Sequence, residues 1–351
     1  MPKPEVVLIE RPARPDPPVG VAVIGVGTIG GYHAENLHTR VPGARLVGVA
    51  DPLPGLAERV AERLGGVRST LDYETLLADP TVEAVVIATP ARLHSAAIVA
   101  SAQAGKAIFC EKPIAHDLAA ADRALAAVRE AQVSLQIGFQ RRFDRAFLRA
   151  HELVASGQLG GVHLLRSLTR DPSLDQPERV PAWGIFLETL IHDFDVLRFF
   201  AAGAEPVEVF AWADALIRPD FKPKGLRDTA TVSVRFDSGA LGTADASFQA
   251  VYGYDVRAEI FGSAGMASVG EQSSINMIHH TFSGSTQPRP SWFVDVFGDA
   301  YIAELAHLVG CVRSGARPAC SGEDGRAALA MARAAIASVE TGRPVLLAEI
   351  D

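Results

Sequence analysis

Cysteine is scarce in this chain of 351 residues. There are three, Cys110, Cys311 and Cys320, widely spaced and with no CxxC pair. That excludes a disulfide framework and a cysteine zinc site, and it fits a reducing cytosol. Long apolar runs are missing: nothing approaches the roughly 20 residues that span a bilayer, so no membrane partner is expected. Basic runs are missing as well. Lys and Arg number 33 against 41 Asp and Glu, a net charge of −8, which argues against nucleic acid as the main partner. The apolar fraction of 48% and charged fraction of 21% are those of an ordinary globular protein, which excludes disorder and coiled coil for the bulk of the chain. Proline, by contrast, crowds the start, with six among the first 18 residues. The only apolar stretch there, Val6–Ile9, is too short for a secretory signal. Residues 1–18 therefore read as an extension outside the fold. The remainder exceeds one typical domain and sets a prior of two.

The pattern after Pro18 alternates. Val19–Ile24, Arg45–Ala50, Glu83–Ala88, Ala107–Cys110 and Val133–Phe139 read as apolar strands. Between them Ile29–Thr39, Leu56–Leu64, Leu93–Ala104 and Leu118–Ala131 read as helices. Strand–helix alternation with apolar strands predicts a doubly wound parallel sheet over residues 19–139, with helices on both faces. The second half, residues 140–351, differs. A helix over Phe143–Ser156, a strand over Val162–Thr169 and an amphipathic helix over Leu187–Phe200 come first. Strand-like runs follow at Val207–Trp212, Thr229–Phe236, Leu241–Phe248 and Asp255–Phe261, with hairpin punctuation such as Asp237-Ser238-Gly239. Helices at Tyr301–Ser314 and Gly325–Thr341 close the chain. The fold class is thus α/β, a parallel sheet followed by an α/β domain with a mostly antiparallel sheet.

The first strand ends in Gly25-Val26-Gly27-Thr28-Ile29-Gly30, a G-x-G-x-x-G between strand and helix. Gly25 makes the tight turn, Gly27 admits a pyrophosphate against the backbone, and Gly30 lets helix and strand pack closely. Thr28 and Ile29 stand where the helix begins, whose free N–H groups favour phosphate, and both are expected at the cofactor. The second strand ends in Asp51, near the offset of a ribose-binding acid. An acid there accepts from ribose hydroxyls and repels a 2′-phosphate, favouring NAD over NADP. The plain alternative makes Asp51 a turn residue before Pro52, and strand context, glycines and acid together favour the dinucleotide.

Strand Ala107–Cys110 runs into Glu111-Lys112-Pro113, and ligands of such sheets sit outside the strands' carboxyl ends. Lys112 then points at the cofactor, where its ammonium holds a substrate hydroxyl; the plain alternative is a solvated turn lysine. Thr89, Pro90 and His94 after the preceding strand, together with Glu111, complete the residues expected near the nicotinamide, with His94 favoured for a structural role. Glu188 and His192 are four apart on one helix face. A carboxylate beside an imidazole orients it and favours its protonated form. Such a pair takes the proton of a secondary alcohol, and the plain alternative is a surface pair. Metal ligation by His192, Asp193 and Asp195 is the weaker reading, because adjacent residues on a helix point apart, and no metal is expected. Arg141-Arg142 reads as salt-bridging, and Trp183 as pocket wall or core.

These residues carry a resemblance. Gly25–Gly30, Asp51, Glu111-Lys112-Pro113 and Ile191-His192-Asp193-Phe194-Asp195 are similar to the glucose–fructose oxidoreductase/inositol dehydrogenase/MocA family, from about Val19 onward. Within it the chain most resembles inositol 2-dehydrogenases. The phrases that carry this are Gly138-Phe139-Gln140-Arg141-Arg142-Phe143-Asp144, Arg170-Asp171-Pro172, Gly184-Ile185-Phe186-Leu187, the stretch from Tyr252 to Glu259, and Asp299-Ala300-Tyr301. The resemblance implies a Rossmann domain, an open-sheet domain serving a homo-oligomer (tetramer or dimer), and Lys112 and His192 as catalytic residues. It further implies Asp171 with Tyr252 or Tyr254 on substrate hydroxyls. The pattern departs at Glu188, where the inositol enzymes place Asp; the charge is kept and the arm is one methylene longer.

The expected function is NAD-dependent oxidation of a ring alcohol of a cyclitol, of myo- or scyllo-inositol type, in the cytoplasm, on a small neutral polyol or sugar. The rivals are a pyranose, glycoside or anhydrosugar dehydrogenase, and a non-catalytic NAD-binding sensor.

Overall fold

A computed structural model describes residues 17–173, 180–270 and 277–350. Most of the Pro-rich extension assigned to residues 1–18 lies outside the described residues.

The alternating half forms a six-stranded parallel sheet. Its strands are β1 (Val19–Ile24), β2 (Ala44–Ala50), β3 (Arg68–Thr70), β4 (Ala84–Ile87), β5 (Ala107–Glu111) and β6 (Leu135–Gly138), in the order β3-β2-β1-β4-β5-β6. The order reverses at β1, which puts a crevice beside its carboxyl end. Every residue of β1, β4 and β6 is buried, as expected of strands covered on both faces. The connecting helices are α1 (Thr28–Thr39), α2 (Leu56–Arg63), the single turn α3 (Glu74–Leu77), α4 (His94–Gln103) and α5 (Leu118–Ala131). The short edge strand β3 and α3 escape sequence reading because neither is long enough to show a period.

The second half begins with α6 (Arg145–Ala155), whose N-cap Asp144 accepts from the amides of Ala146 and Phe147. Strand β7 (Val162–Arg170) follows, then a π-helical turn (Ile185–Leu190) that leads into α7 (Ile191–Phe200). Strands β8 (Pro206–Asp214), β9 (Thr229–Phe236), β10 (Leu241–Ser247), β11 (Asp255–Gly262) and β12 (Met266–Val269) build the second sheet. A small hairpin, β13 (His279–Thr281) with β14 (Gly284–Thr286), precedes α8 (Phe293–Ser314) and α9 (Gly322–Thr341), and β15 (Val345–Leu346) ends the sheet. The order is β12-β11-β7-β10-β9-β8-β15, antiparallel except where β7 pairs in parallel with β10.

Three expectations change. The helix expected over Leu187–Phe200 is α-helical only from Ile191. Helix α8 starts at Phe293 rather than Tyr301, because Asp295 accepts the Ser291 and Trp292 amides and caps it earlier. Helix α9 starts at Gly322 rather than Gly325, held by reciprocal Ser321–Asp324 bonds.

Residues of β9 alternate between buried and exposed, so the second sheet has one covered face and one open face. Helix α7 packs on β7 and α9 on β8, closing the covered face. One apolar core runs from Ile24 and Ile87 under the first sheet to Val232 and Ile260 under the second. Helix α8 turns back and covers the opposite face of the first sheet with Leu305, Leu308 and Val309.

The junction of the two sheets is ionic. The short turn Gln140–Phe143 after β6 carries Arg141 and Arg142, both buried. Arg142 grips Asp195 of α7 through Nε and Nη2 at 2.7–3.1 Å and reaches Asp324 of α9 at 3.1 Å. The expected salt-bridging role of this arginine pair is what the structure contains. Removing one partner strands a buried charge. Asp195→Ala is expected to lower the unfolding free energy by about 3–5 kcal/mol, read from the denaturant midpoint; a loss below about 1 kcal/mol would mean that Asp324 alone satisfies Arg142.

Candidate active site

The dinucleotide turn has the backbone that its glycines call for. Gly25 has φ +85°, and a Cβ there would lie 2.8 Å from the backbone of Ala88 and Thr89. At Gly30 a Cβ would lie 1.9 Å from the Gly25 carbonyl oxygen, so helix and turn touch. Gly27 has open space where a side chain would stand, and no side chain caps α1. The first N–H groups of that helix are thus free for an anion. Asp51 is buried at the end of β2. One carboxylate oxygen accepts from the Val26 amide at 3.0 Å and the other from Leu53 at 3.0 Å. The acid therefore also braces the turn. These features fit a dinucleotide: a bare pyrophosphate cradle, and a carboxylate at the ribose end with lone pairs to spare.

A cleft of about 430 Å³ opens between the sheets' ends. From the cofactor side Ile29, Thr89, Pro90, His94, Glu111 and Lys112 line it. From the other side come Asp171, Glu188, His192 and Tyr254. His94 has no atom to spare, since its ring nitrogens lie 2.7 Å from the Pro113 and Thr89 carbonyls. It ties two strand-end loops together, which is the structural role expected. The Lys112–Pro113 peptide is cis.

Lys112 reaches across the cleft and donates from Nζ to the Glu188 carbonyl at 3.0 Å. That carbonyl belongs to the π turn, whose wider winding breaks the regular α-helical ladder of acceptors. His192 sits half-buried at the cleft floor, edge-on to Phe139, with Nδ1 enclosed and without a partner. Here the expected Glu188–His192 pair is corrected. Among the described residues no hydrogen bond joins the two side chains, and His192 is pushed well below its usual value rather than held protonated. Burial is the main cause, reinforced by the Lys112 and Arg141 cations, and Glu188 supplies no counterweight. A neutral imidazole results, with capacity to accept a proton.

Behind the cleft Arg141 is fully buried. It donates to Asp193 at 2.9 Å and to the Thr169 hydroxyl at 2.6 Å. Asp193 also accepts from Ser167 and Thr169. Asp193 and Asp195 are thus spent on two different arginines and do not converge with His192. Tyr254 lies against Arg141, and burial raises its hydroxyl above the usual range. Tyr252 corrects the other tyrosine expectation: it is 45% exposed, donates to Asp255 at 2.9 Å and lies under Arg289, away from the cleft. Gly253, at φ +114°, turns the chain between the two tyrosines, so the strand alternation that would put both on one face is broken. Trp183 lies against Phe186 and Arg227 instead of lining the cleft. Sequence reading missed Ala91, Thr169, Thr189, Trp292 and Phe293 as cleft residues, and it noted Gln140 and Tyr301 only within phrases.

The comparisons with known proteins agree with this geometry. Residues 19–139 match the model of the oxidoreductase family with an NAD-binding Rossmann fold. Residues 147–268 match the GFO/IDH/MocA C-terminal domain. The myo-inositol 2-dehydrogenase of Thermotoga maritima is 39% identical over 94% of this chain and 99% of its own. The chain belongs to the glucose–fructose oxidoreductase/inositol dehydrogenase/MocA family. The NAD(+)-dependent scyllo-inositol 2-dehydrogenase of Bacillus subtilis is 38% identical over 94% of this chain and 96% of its own. A scyllo-inositol dehydrogenase from Lactobacillus casei, solved with NAD(H) and scyllo-inositol, superposes with a TM-score of 0.89 at 26% identity, covering 94% and 99% of the two chains. This family member is an NAD-dependent oxidoreductase acting on CH–OH groups.

The Asp171 carboxyl is pushed up to about 6 by burial, with Lys112 and Arg141 pulling it back. A folded-state value above the unfolded one near 4 means that the folded protein holds this proton more tightly. Its stabilising effect is present at low pH and is lost as pH rises through that interval. The melting temperature of Asp171→Asn is therefore expected to match the wild type near pH 4 and to exceed it from pH 6 upward. A displacement equal at every pH would contradict the shift.

Proposed function

We infer that this chain oxidises a ring secondary alcohol of a cyclitol, of the myo- or scyllo-inositol type, to the ketone. The supporting observation is the convergence of Lys112, Asp171 and His192 on one cleft at the carboxyl end of the dinucleotide sheet, together with relatives of nearly full length that are named inositol 2-dehydrogenases. NAD supplies the hydride acceptor when bound. Gly25, Gly27, Thr28, Ile29 and Gly30 hold its phosphates, Asp51 its ribose, and Thr89, Pro90 and Glu111 border the nicotinamide end.

His192 accepts the hydroxyl proton, because it lines the cleft and burial holds its imidazole neutral. Lys112 holds the substrate oxygen and stabilises the negative charge that grows on it. Its Nζ is already aimed across the cleft by the Glu188 carbonyl. Asp171 and Tyr254 take neighbouring ring hydroxyls, the carboxylate as acceptor and the phenol as donor. Glu188 acts through its backbone on Lys112, and its side chain borders the ring pocket, where its length selects among polyols.

We further place the working division near Phe139, with a cofactor unit over residues 19–139 and a substrate and assembly unit over residues 140–351. The open face of the second sheet supports homo-oligomer formation as a dimer or tetramer. Leu241, Leu164, Phe261 and Met266 are exposed and stand side by side across four strands. No helix among the described residues is long and apolar enough to cross a membrane, and the three cysteines are free and buried, which suits the cytoplasm.

Lys112→Met is expected to lower turnover of myo-inositol by about 10²–10⁴-fold while NAD affinity, read by fluorescence quenching, stays near wild type. Wild-type turnover in the variant would remove Lys112 from the mechanism. NADH formation across myo-inositol, scyllo-inositol, glucose and a glycoside is expected to be greatest with an inositol. Preference for glucose or the glycoside would move the assignment to the sugar dehydrogenases, and no turnover with any of them to the sensor.

A further inference from the structure

A second polar cluster lies immediately behind Lys112 and meets the cleft only through Glu111, with His33 and Glu304 wholly buried. His33 of α1 pairs through Nε2 with a Glu111 carboxylate oxygen at 2.7 Å. The other Glu111 oxygen accepts from the Lys112 backbone amide at 3.3 Å. Glu304 of α8 brings its carboxyl into the same space, with ligating atoms of His33, Glu111 and Glu304 all within 4.8 Å of one another. Glu304 is 0% exposed, and neither of its carboxyl oxygens has a partner. The nearby Gln136 amide does not serve it, because it donates to the Glu304 backbone carbonyl instead.

Two carboxylates this close and this dry do not both ionise, because the second charge would be neither solvated nor paired. We propose that Glu304 is a positioning residue for Lys112: held as a neutral acid, it steadies the Glu111–His33 pair that carries the lysine's backbone. Burial, and then Glu111, push Glu304 well above the usual carboxylate range. The other titratable groups against the cluster are Tyr301 on the same helix, Cys320 after it, Cys110 before Glu111 and His94; burial raises the phenol and both thiols and lowers the imidazole, so all four stay neutral. The cluster also joins the two halves of the chemistry. His33 stands on the helix whose first turn is the dinucleotide cradle, and Glu111 immediately precedes the proposed oxygen-holding lysine. The proposal rests on that reading of Lys112.

Two variants and one spectrum test it. The infrared difference between wild type and Glu304→Gln at neutral pH is expected to contain a protonated carboxylic acid band. Glu304→Gln keeps a neutral hydrogen-bond donor of the same shape, and its kcat and KM for NAD are expected at wild-type level. Glu304→Leu removes the donor and is expected to lose kcat by about 10–100-fold, the scale of a catalytic group displaced by about 1 Å, with KM for NAD and melting temperature little changed. Absence of the acid band, a Leu variant as active as wild type, or a Gln variant as impaired as Leu would each overturn the proposal. Stoichiometric divalent metal in the purified protein would also overturn it. Should the Leu variant not fold, the Gln variant and the band still decide. The band reads the proton whatever Lys112 does, whereas an active Lys112→Met would overturn only the reading beneath.

Discussion

The buried pair of Arg141 and Asp193 is the constraint on which the site depends. Neither side chain meets water, so each is tolerable only because the other is there. The pair fixes the exit of β6 against the helix that bears His192, one residue from Asp193. Through Thr169 it also fixes the end of β7, two residues before Asp171. Its cation then acts at range, helping to keep His192 neutral and Asp171 from rising further. A structural ion pair between two sheets thus positions the groups in front of it and adds to their protonation balance, which burial dominates. Arg142 and Asp195 repeat the device one residue further along, facing α9 instead of the cleft.

The parallel sheet was legible because its signals are local. Apolar strands, glycines at fixed offsets and Asp51 at a strand end each speak for themselves, and the turn geometry at Gly25 and Gly30 is the one those glycines imply. The second sheet was legible as strands but not as an order, because β7 inserts between β10 and β11 from far away in the chain. Edge elements such as β3 and β15 were too short to show a pattern.

The site was legible as a list and less so as a geometry. Lys112, Asp171, His192 and Tyr254 share one cleft, whereas Tyr252 does not, because a single glycine between the tyrosines undoes their spacing. The reading of Glu188 failed for a different reason. An i,i+4 spacing presumes an α-helix in water, and here the winding at Glu188 is π and the imidazole is half-buried in the cleft wall. Desolvation, invisible in a sequence, lowers His192, and the Glu188 carboxylate supplies nothing against it. The aromatic cleft residues at the start of α8 went unseen because their helix was expected to begin later.

The bond from Lys112 to the Glu188 carbonyl has a consequence for timing. A free lysine side chain surrenders about 2 kcal/mol of rotamer entropy when it is fixed. Here the ammonium is tethered to a backbone oxygen on the far wall before any ligand arrives. The entropic cost of aiming it is met when the chain folds, and on the proposed mechanism an incoming hydroxyl has only to exchange one acceptor for another.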